Sequence, residues 1–311
     1  MSAFRKNESG QAIVLMTLSL VVIMGMAAFV IDVGSWYHTK RRLQGTADAA
    51  SLAGAQLLPN SSSGAQSQAL TYANKNGGNV AGADISVTST VFQNDTISVK
   101  AKKTDAGIFS GILGIASANI DARAKARVGP PAAARYVAPM VVSCNHDLIQ
   151  NCGLDHEPTF GEQTTMKFDP MGAPGAFGML NLSGENGTPG TSEEADWILK
   201  GFDKYLEPGK FRSDPGAKFA STNIEDALND RMGTVLLFPV FRTLEGGGQN
   251  AEYVIIGWIG FYLDSWEQHG QTASLTGHFT EFIAQGILAS SGGGASGPSS
   301  TWGVKSIQLI E

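Results

Sequence analysis

Cysteine and histidine have the most reactive spacing in this chain. Cys144-x-His146 is followed by Cys152 and His156. Thiolate and imidazole are suitable tetrahedral zinc ligands, yet this spacing fits no common zinc pattern. A Cys144–Cys152 disulfide closing the loop from Asn145 to Asn151 is the plainer alternative, worth roughly 2–3 kcal/mol by loop closure. Free thiols are the third. Gly292-x-Gly294-x-x-Gly297 spells a dinucleotide fingerprint, but a working one follows a strand and opens a helix. This one lies in ASSGGGASGPSS, a flexible-loop composition, with Pro298 next. There is no Gly-x-Ser-x-Gly elbow and no Walker sequence. His38, His146, His156, His269 and His278 are scattered and suggest no triad. Glu193, Glu194 and Asp196 read as the first turn of a solvated helix, where carboxylates meet the positive end of the dipole. The sequence therefore assigns no catalytic residue, no cofactor and no metal ligand.

Composition narrows the class. Of 311 residues 38 are glycine, with 42% hydrophobic and 16% charged. The apolar share excludes a wholly disordered chain, and glycine without a three-residue period excludes a collagen-like one. The net charge of -6 is unevenly placed: about +5 over residues 1–128 and -11 over residues 129–311. An acidic C-terminal part repels phosphate, which argues against nucleic acid as a partner. Two cysteines are too few for a disulfide-built scaffold.

The elements that position these groups begin with a membrane segment. Ala12 to Ile31 is a run of 20 residues without a charge. At 1.5 Å per residue it covers ~30 Å, the hydrocarbon thickness of a bilayer. A secretory signal has a shorter apolar core and a small-residue cleavage site. Here Trp36 and Tyr37 follow, which suit an interfacial aromatic belt. The reading is a retained transmembrane helix over 12–33, with residues 1–11 cytoplasmic. The lipid bilayer is its first partner. Lys40, Arg41 and Arg42 after the span outnumber Arg5 and Lys6 before it, which favours the opposite orientation. Two points outweigh that count: the nine residues before Gly10 are too few for a domain, and a cysteine pair suits an oxidising space. The expected location is the cytoplasmic membrane, single-pass, with the C-terminal bulk outside.

Leu43, Ala47, Ala50, Gly54 and Leu57 recur at helical steps and share one face. Small residues there let another backbone approach closely. That face either packs on its own domain or serves helix–helix assembly. With no proline before Pro59, one helix of ~70 Å is expected over residues 12–58. A short helix over 69–76 is possible by pattern. Ile85, Val87 and Val91, then Ile97, Val99 and Ala101, alternate with polar residues around Gln93-Asn94-Asp95, a hairpin signal. Ile108, Phe109, Ile112, Leu113 and Ile115 form an apolar patch at helical spacing. Ile120, Ala122, Ala124, Ala126 and Val128 alternate with polar and cationic neighbours, as in a half-buried strand. The unit spans 34–128, Gly129-Pro130-Pro131 opens a linker over 129–133, and 134–311 is a separate domain. In it, Glu193 to Tyr205 reads as a helix. Val235–Phe241, with an edge or bulge at Pro239, Tyr253–Leu263 and Val304–Ile310 read as strands.

One stretch resembles a known family. Glu8-Ser9-Gly10-Gln11-Ala12, the apolar helix, Asp32-Val33-Gly34, then Leu43-Gln44-Gly45-Thr46-Ala47-Asp48-Ala49-Ala50-Ser51-Leu52-Ala53-Gly54-Ala55 is similar to the TadE/TadG-like Flp (Tad) pilus-assembly proteins over residues 5–60, and the strands to Val128 fit it. Segments 176–182 and 197–202 are similar to the non-metal C-terminal region of some members. The adhesion-type Asp-x-Ser-x-Ser triplet is absent. The resemblance implies an α+β fold: a transmembrane helix continuing into a pilin-like helix on a small antiparallel sheet, then a mostly β extracytoplasmic domain. It implies other pilus-assembly or pilin-like subunits as partners and a non-enzymatic assembly role. The alternatives are a membrane-tethered surface hydrolase and a ligand-binding adhesin. In related type IV pilins a peptidase cuts after a glycine. Gly10 and Gln11 are the matching positions, but the fifth residue would be Leu15 rather than glutamate. Gly10 is either a processing site or the polar edge of the span, and a retained anchor is the carry-over.

Overall fold

The computed structural model describes residues 9–149, 152, 158–168, 176–184, 187–215, 218–247, 250–270, 272–288 and 302–311. His156 and Gly292, Gly294 and Gly297 lie outside the described residues. The chain is α+β: a long apolar helix near the N-terminus, then mostly strands in mixed sheets. It divides into two compact units. The first holds Met1–Thr88, Thr96–Ala126 and Leu309–Glu311, and the second holds Ser89–Asp95 and Arg127–Gln308.

The first unit opens with α1 (Ser9–Ala55), an unbroken helix of 47 residues, or ~70 Å at 1.5 Å per residue. It starts three residues before the expected run and stops at Ala55, where Leu57 and Leu58 donate back to the carbonyls of Gly54 and Ala55 at 3.1 Å. Next comes α2 (Ser62–Lys75), longer than the short helix expected there. Ser61 caps it by accepting from the Gly64 N–H at 3.1 Å, satisfying one of the donors a helix start leaves free. Only alanines, Ala65, Ala69 and Ala73, mark its buried face.

The strands β1 (Ile85–Thr88), β2 (Thr96–Ala106) and β3 (Ser117–Gly129) follow. Antiparallel pairing of β1 with β2 puts Ile85 opposite Val99 and Thr88 opposite Thr96. The expected hairpin is present, though Val91 lies in its loop rather than in β1. In β3, Ala122, Ala124, Ala126 and Val128 are buried and Ile120 half-buried, as the alternation predicts. Helix α1 packs on α2 and β2.

The second unit contains β4 (Pro131–Ala134), β5 (Val142–Ser143), β6 (Gln163–Phe168), β7 (Ala176–Leu180), α3 (Thr191–Lys200), β8 (Gly209–Pro215), α4 (Thr222–Arg231), β9 (Val235–Glu245), β10 (Glu252–His269), β11 (Thr272–Thr280), β12 (Phe282–Ile283), β13 (Gly286–Leu288) and β14 (Val304–Leu309). The stretch expected as a linker is therefore largely strand: Gly129 ends β3, and β4 pairs with β13. The main sheet runs β5-β9-β10-β11-β6, with β8 beside the start of β10 and β7 beside β8. Strands β9 and β10 are the two apolar runs expected as buried strands. Pro239 sits in regular register opposite Trp258, and the two irregularities of this pairing fall at Arg242 of β9 and at Ile256 of β10. Helix α3 stops at Lys200, earlier than expected. Gly201 follows at φ +78°, and a Cβ there would lie 2.4 Å from the Tyr136 carbonyl oxygen, so only glycine fits. The core gathers Phe168, Phe219, Phe238, Phe261 and Phe279 with Ile198, Ile224 and Leu228 of α3 and α4.

Candidate functional site

Helix α1 has two halves of opposite environment. Residues 12–27 are exposed throughout, and Ala28 is the first position partly covered. The apolar run within this helix is long enough to cross a bilayer as a single span. From Asp32 onward the helix is tied to the first unit. The Asp32 carboxylate accepts from the N–H groups of Ile108 (3.1 Å), Phe109 (2.9 Å) and Ser110 (2.6 Å). Thr39 donates to the Asp105 carboxylate, and Lys40 donates to the Asp121 carbonyl. Hydrogen bonds from Lys103 and Thr39 hold Asp105 below the usual carboxylate range. Gln44 donates to the Arg123 carbonyl at 3.1 Å, and Thr46 to that of Asn76 at 2.7 Å. These partners lie 30 to 81 residues away in sequence. No short-range pattern in the sequence points to them.

Leu43, Ala47, Ala50 and Gly54 are buried. A Cβ at Gly54 would sit 2.6 Å from the Ile97 Cδ1 and 2.8 Å from the Ala65 carbonyl oxygen. Glycine there sets how closely α1, α2 and β2 approach. Leu57 departs from this face: it lies beyond the end of α1 and is 40% exposed. The tight turn after Gly54 breaks the helical step that would have aligned it. Gly10 and Gln11 fall in the first turn of α1, and their side chains lie outside the described residues.

In the second unit Cys144 and Cys152 form a disulfide, which takes up both thiols. His146, inside that loop, accepts the Leu148 N–H on Nδ1 at 3.2 Å and packs edge-on to Phe279. Burial holds its imidazole below the ordinary histidine value, against the pull of Asp147.

The sequence reading of the acidic helix start is corrected here. Glu193 and Asp196 are exposed, but Glu194 is fully buried. Its carboxylate lies 2.7 Å from Lys218 Nζ, which is also 2.6 Å from Asp214 and donates to the Pro189 carbonyl at 2.6 Å. Burial first, and then the neighbouring Asp214, pushes Glu194 up to about 9, with Lys218 opposing. The signal that distinguishes Glu194 from Glu193 is its place one turn before Ile198, on the buried face of α3. This cluster is interior and held together by Lys218, which suits it to fixing α3 against the segment around Lys218 rather than to meeting a substrate.

No curated protein and no solved structure matches the chain. The helix that joins an exposed apolar half to a buried small-residue half is the matched part: residues 10–57 fit the model of the family described as "Putative Flp pilus-assembly TadE/G-like".

Proposed function

We propose that this protein is a membrane-anchored, non-enzymatic component of a Tad/Flp-type pilus-assembly system, with its bulk outside the cytoplasm. The observation that carries the reading is the single helix α1. Its apolar turns are bare over residues 12–27, and its later turns are the core of a folded unit. Bare apolar surface is unfavourable in water by about 25 cal/mol per Å², whereas a bilayer accepts it. The family match over residues 10–57 covers this same helix and supports the pilus-assembly role. The Cys144–Cys152 disulfide favours an oxidising space.

In mechanism, the span fixes the chain in lipid. Leu43, Ala47, Ala50 and Gly54 hold the helix to its own unit, and the remaining surfaces meet sister or pilin-like subunits. The anchor is retained rather than cut after Gly10.

The test is deletion in a piliated host, with surface pili counted by electron microscopy. Loss of pili is expected, restored by the full chain but not by a chain with Leu20→Arg and Ile23→Arg. An unchanged pilus number after deletion overturns the assembly role. Sequencing the N-terminus of membrane-extracted protein is expected to read upstream of Gln11. A start at Gln11 would show processing after Gly10 and overturn the permanent anchor in favour of a pilin-like subunit that can leave the bilayer.

A further inference from the structure

The link between β2 and β3, residues 107–116, is built to hold its shape while displaying apolar side chains. Its base is closed by the Gly107 N–H donating to the Ala116 carbonyl at 2.9 Å. Ser110 braces it twice across the loop, its carbonyl accepting from the Ile115 N–H at 3.0 Å and its Oγ donating to the Ile115 carbonyl at 3.1 Å. A Cβ on Gly107 would lie 2.0 Å from the Ser110 Oγ and 2.7 Å from the Ile115 carbonyl oxygen, so the backbone is drawn in tightly. Asp32, only 2% exposed, accepts three successive N–H groups of this loop. Yet Ile108 is 72% exposed, Ile115 44% and Phe109 38%. A loop this well bonded, with Ile108, Phe109 and Ile115 turned outward, is arranged to bury them against something else.

Position identifies the occupant. Asp32 is the residue after Ile31, the last of the apolar run, so the loop is fixed to the helix at the level where the span ends. Ala28, one turn earlier on the face of Asp32, is the first helix residue with partial cover. Trp36 and Tyr37 lie one turn beyond, where an aromatic belt belongs. An apolar surface continuous with a membrane span, at its exit, faces lipid.

We propose that loop 107–116 is a second bilayer contact. Ile108, Phe109 and Ile115 enter the boundary between headgroups and acyl chains beside the span, and Asp32 is the positioning residue that holds them there. Interfacial elements of this kind bury their apolar side chains about 5–10 Å into that boundary. Two attachments, the span and the loop, fix the rotation of the helix about its axis as well as its depth. The inference rests on reading residues 12–31 as a span.

The test uses the full chain in nanodiscs of phosphatidylcholine and phosphatidylglycerol, loaded at one copy per disc. The native cysteines are paired, so a bimane probe can be placed at Ile108→Cys, at Leu20→Cys within the span and at exposed Gln66→Cys on α2. Lipids carrying nitroxides at the headgroup level or the bilayer centre report depth. The expected result is a blue shift at Ile108 with quenching strongest from the headgroup-level nitroxide, quenching at Leu20 strongest from the central one, and none at Gln66. Adding Asp32→Ala is expected to bring Ile108 quenching down toward the Gln66 level while Leu20 is unchanged. If Leu20 is quenched but Ile108 behaves like Gln66, the loop contact is overturned and the span stands. If Leu20 is not quenched, the span fails and the inference with it. Shielding of Ile108 only in discs holding several copies assigns the loop to a second chain and overturns the lipid contact.

Discussion

In the first unit the side chains buried around α1 are mostly alanines, Ala47, Ala50, Ala53, Ala65, Ala69, Ala73, Ala122, Ala124 and Ala126, joined by Leu43, Ile97 and Val99. The second unit fills its interior with Phe168, Phe219, Phe238, Phe261 and Phe279, and stacks Phe238 on Phe261 at 5.3 Å. Among the described residues of the first unit no aromatic side chain is buried. The difference is one of strategy. Each buried methyl contributes only about 0.8 kcal/mol, so an alanine interior gains by bringing backbones close and by specific polar ties such as those of Asp32, Gln44 and Thr46. An aromatic interior gains by area. Close packing of small residues is also how helices associate in lipid, where the hydrophobic effect no longer drives them together. A helix that passes from bilayer to water can therefore use one packing rule along its whole length.

Substitutions can break this comparison unit by unit. The largest effect is expected from Phe261→Ala, which removes a fully buried ring and leaves a cavity, at about 3–5 kcal/mol. Its unfolding transition, followed by tryptophan fluorescence in detergent, should fall while the helical signal at 222 nm from α1 persists. Replacing Cys144 and Cys152 with serine is expected to cost about 2–3 kcal/mol by loop closure, read as the shift in denaturation midpoint with and without reductant. Gly54→Ala adds a single methyl to the first unit, yet it meets the Ala65 backbone, so a loss of about 1–3 kcal/mol is expected from overpacking. The readout is the midpoint of the 222 nm signal. Leu57→Ala, on an exposed side chain, should stay within about 0.5 kcal/mol, and a larger loss would show that Leu57 has a partner.

A final prediction is read as a slope. Glu194 in the folded state is pushed above its ordinary value of 4.5, to about 9. The folded protein thus binds this proton more tightly than the unfolded chain. The associated stability is fully present below the ordinary value and is lost as pH rises toward about 9. Glu194→Gln should flatten that alkaline decline in the second unit and leave the first unit unchanged. An unaltered slope would show that the buried cluster does not set it.

Much of the fold is legible in the sequence. The apolar run and the period-two alternations of β1 to β3 carried the first unit. The two long apolar stretches carried β9 and β10. Local patterns fail where the deciding contact is distant. Helix α2 runs longer than its pattern suggests, because its buried face holds only alanines, which barely register as hydrophobic. Glu194 looked like its neighbour Glu193 until Lys218 and Asp214 met it. Asp32 stands in the sequence only as the start of Asp32-Val33-Gly34, and nothing near it announces the amides of residues 108–110. The helix end at Gly201 depends on Tyr136, which a one-dimensional reading cannot bring alongside. At the candidate site, four of the five small-face residues are buried. Only Leu57, past the turn, parts from the rest.

The continuity of α1 has a mechanical meaning. No proline interrupts Ser9–Ala55, and the helix runs on through its interior glycine–serine pair, Gly34-Ser35, although sharp helix kinks arise mainly at proline, at such pairs or at bulges in the ladder. The same rod is bare and apolar at one end and locked by Asp32, Thr39, Lys40 and Gln44 at the other. With the apolar half in lipid, as proposed above, load on the folded half is carried along one continuous helix. The helix then works as a strut, and Gly34-Ser35 is where it resists bending least.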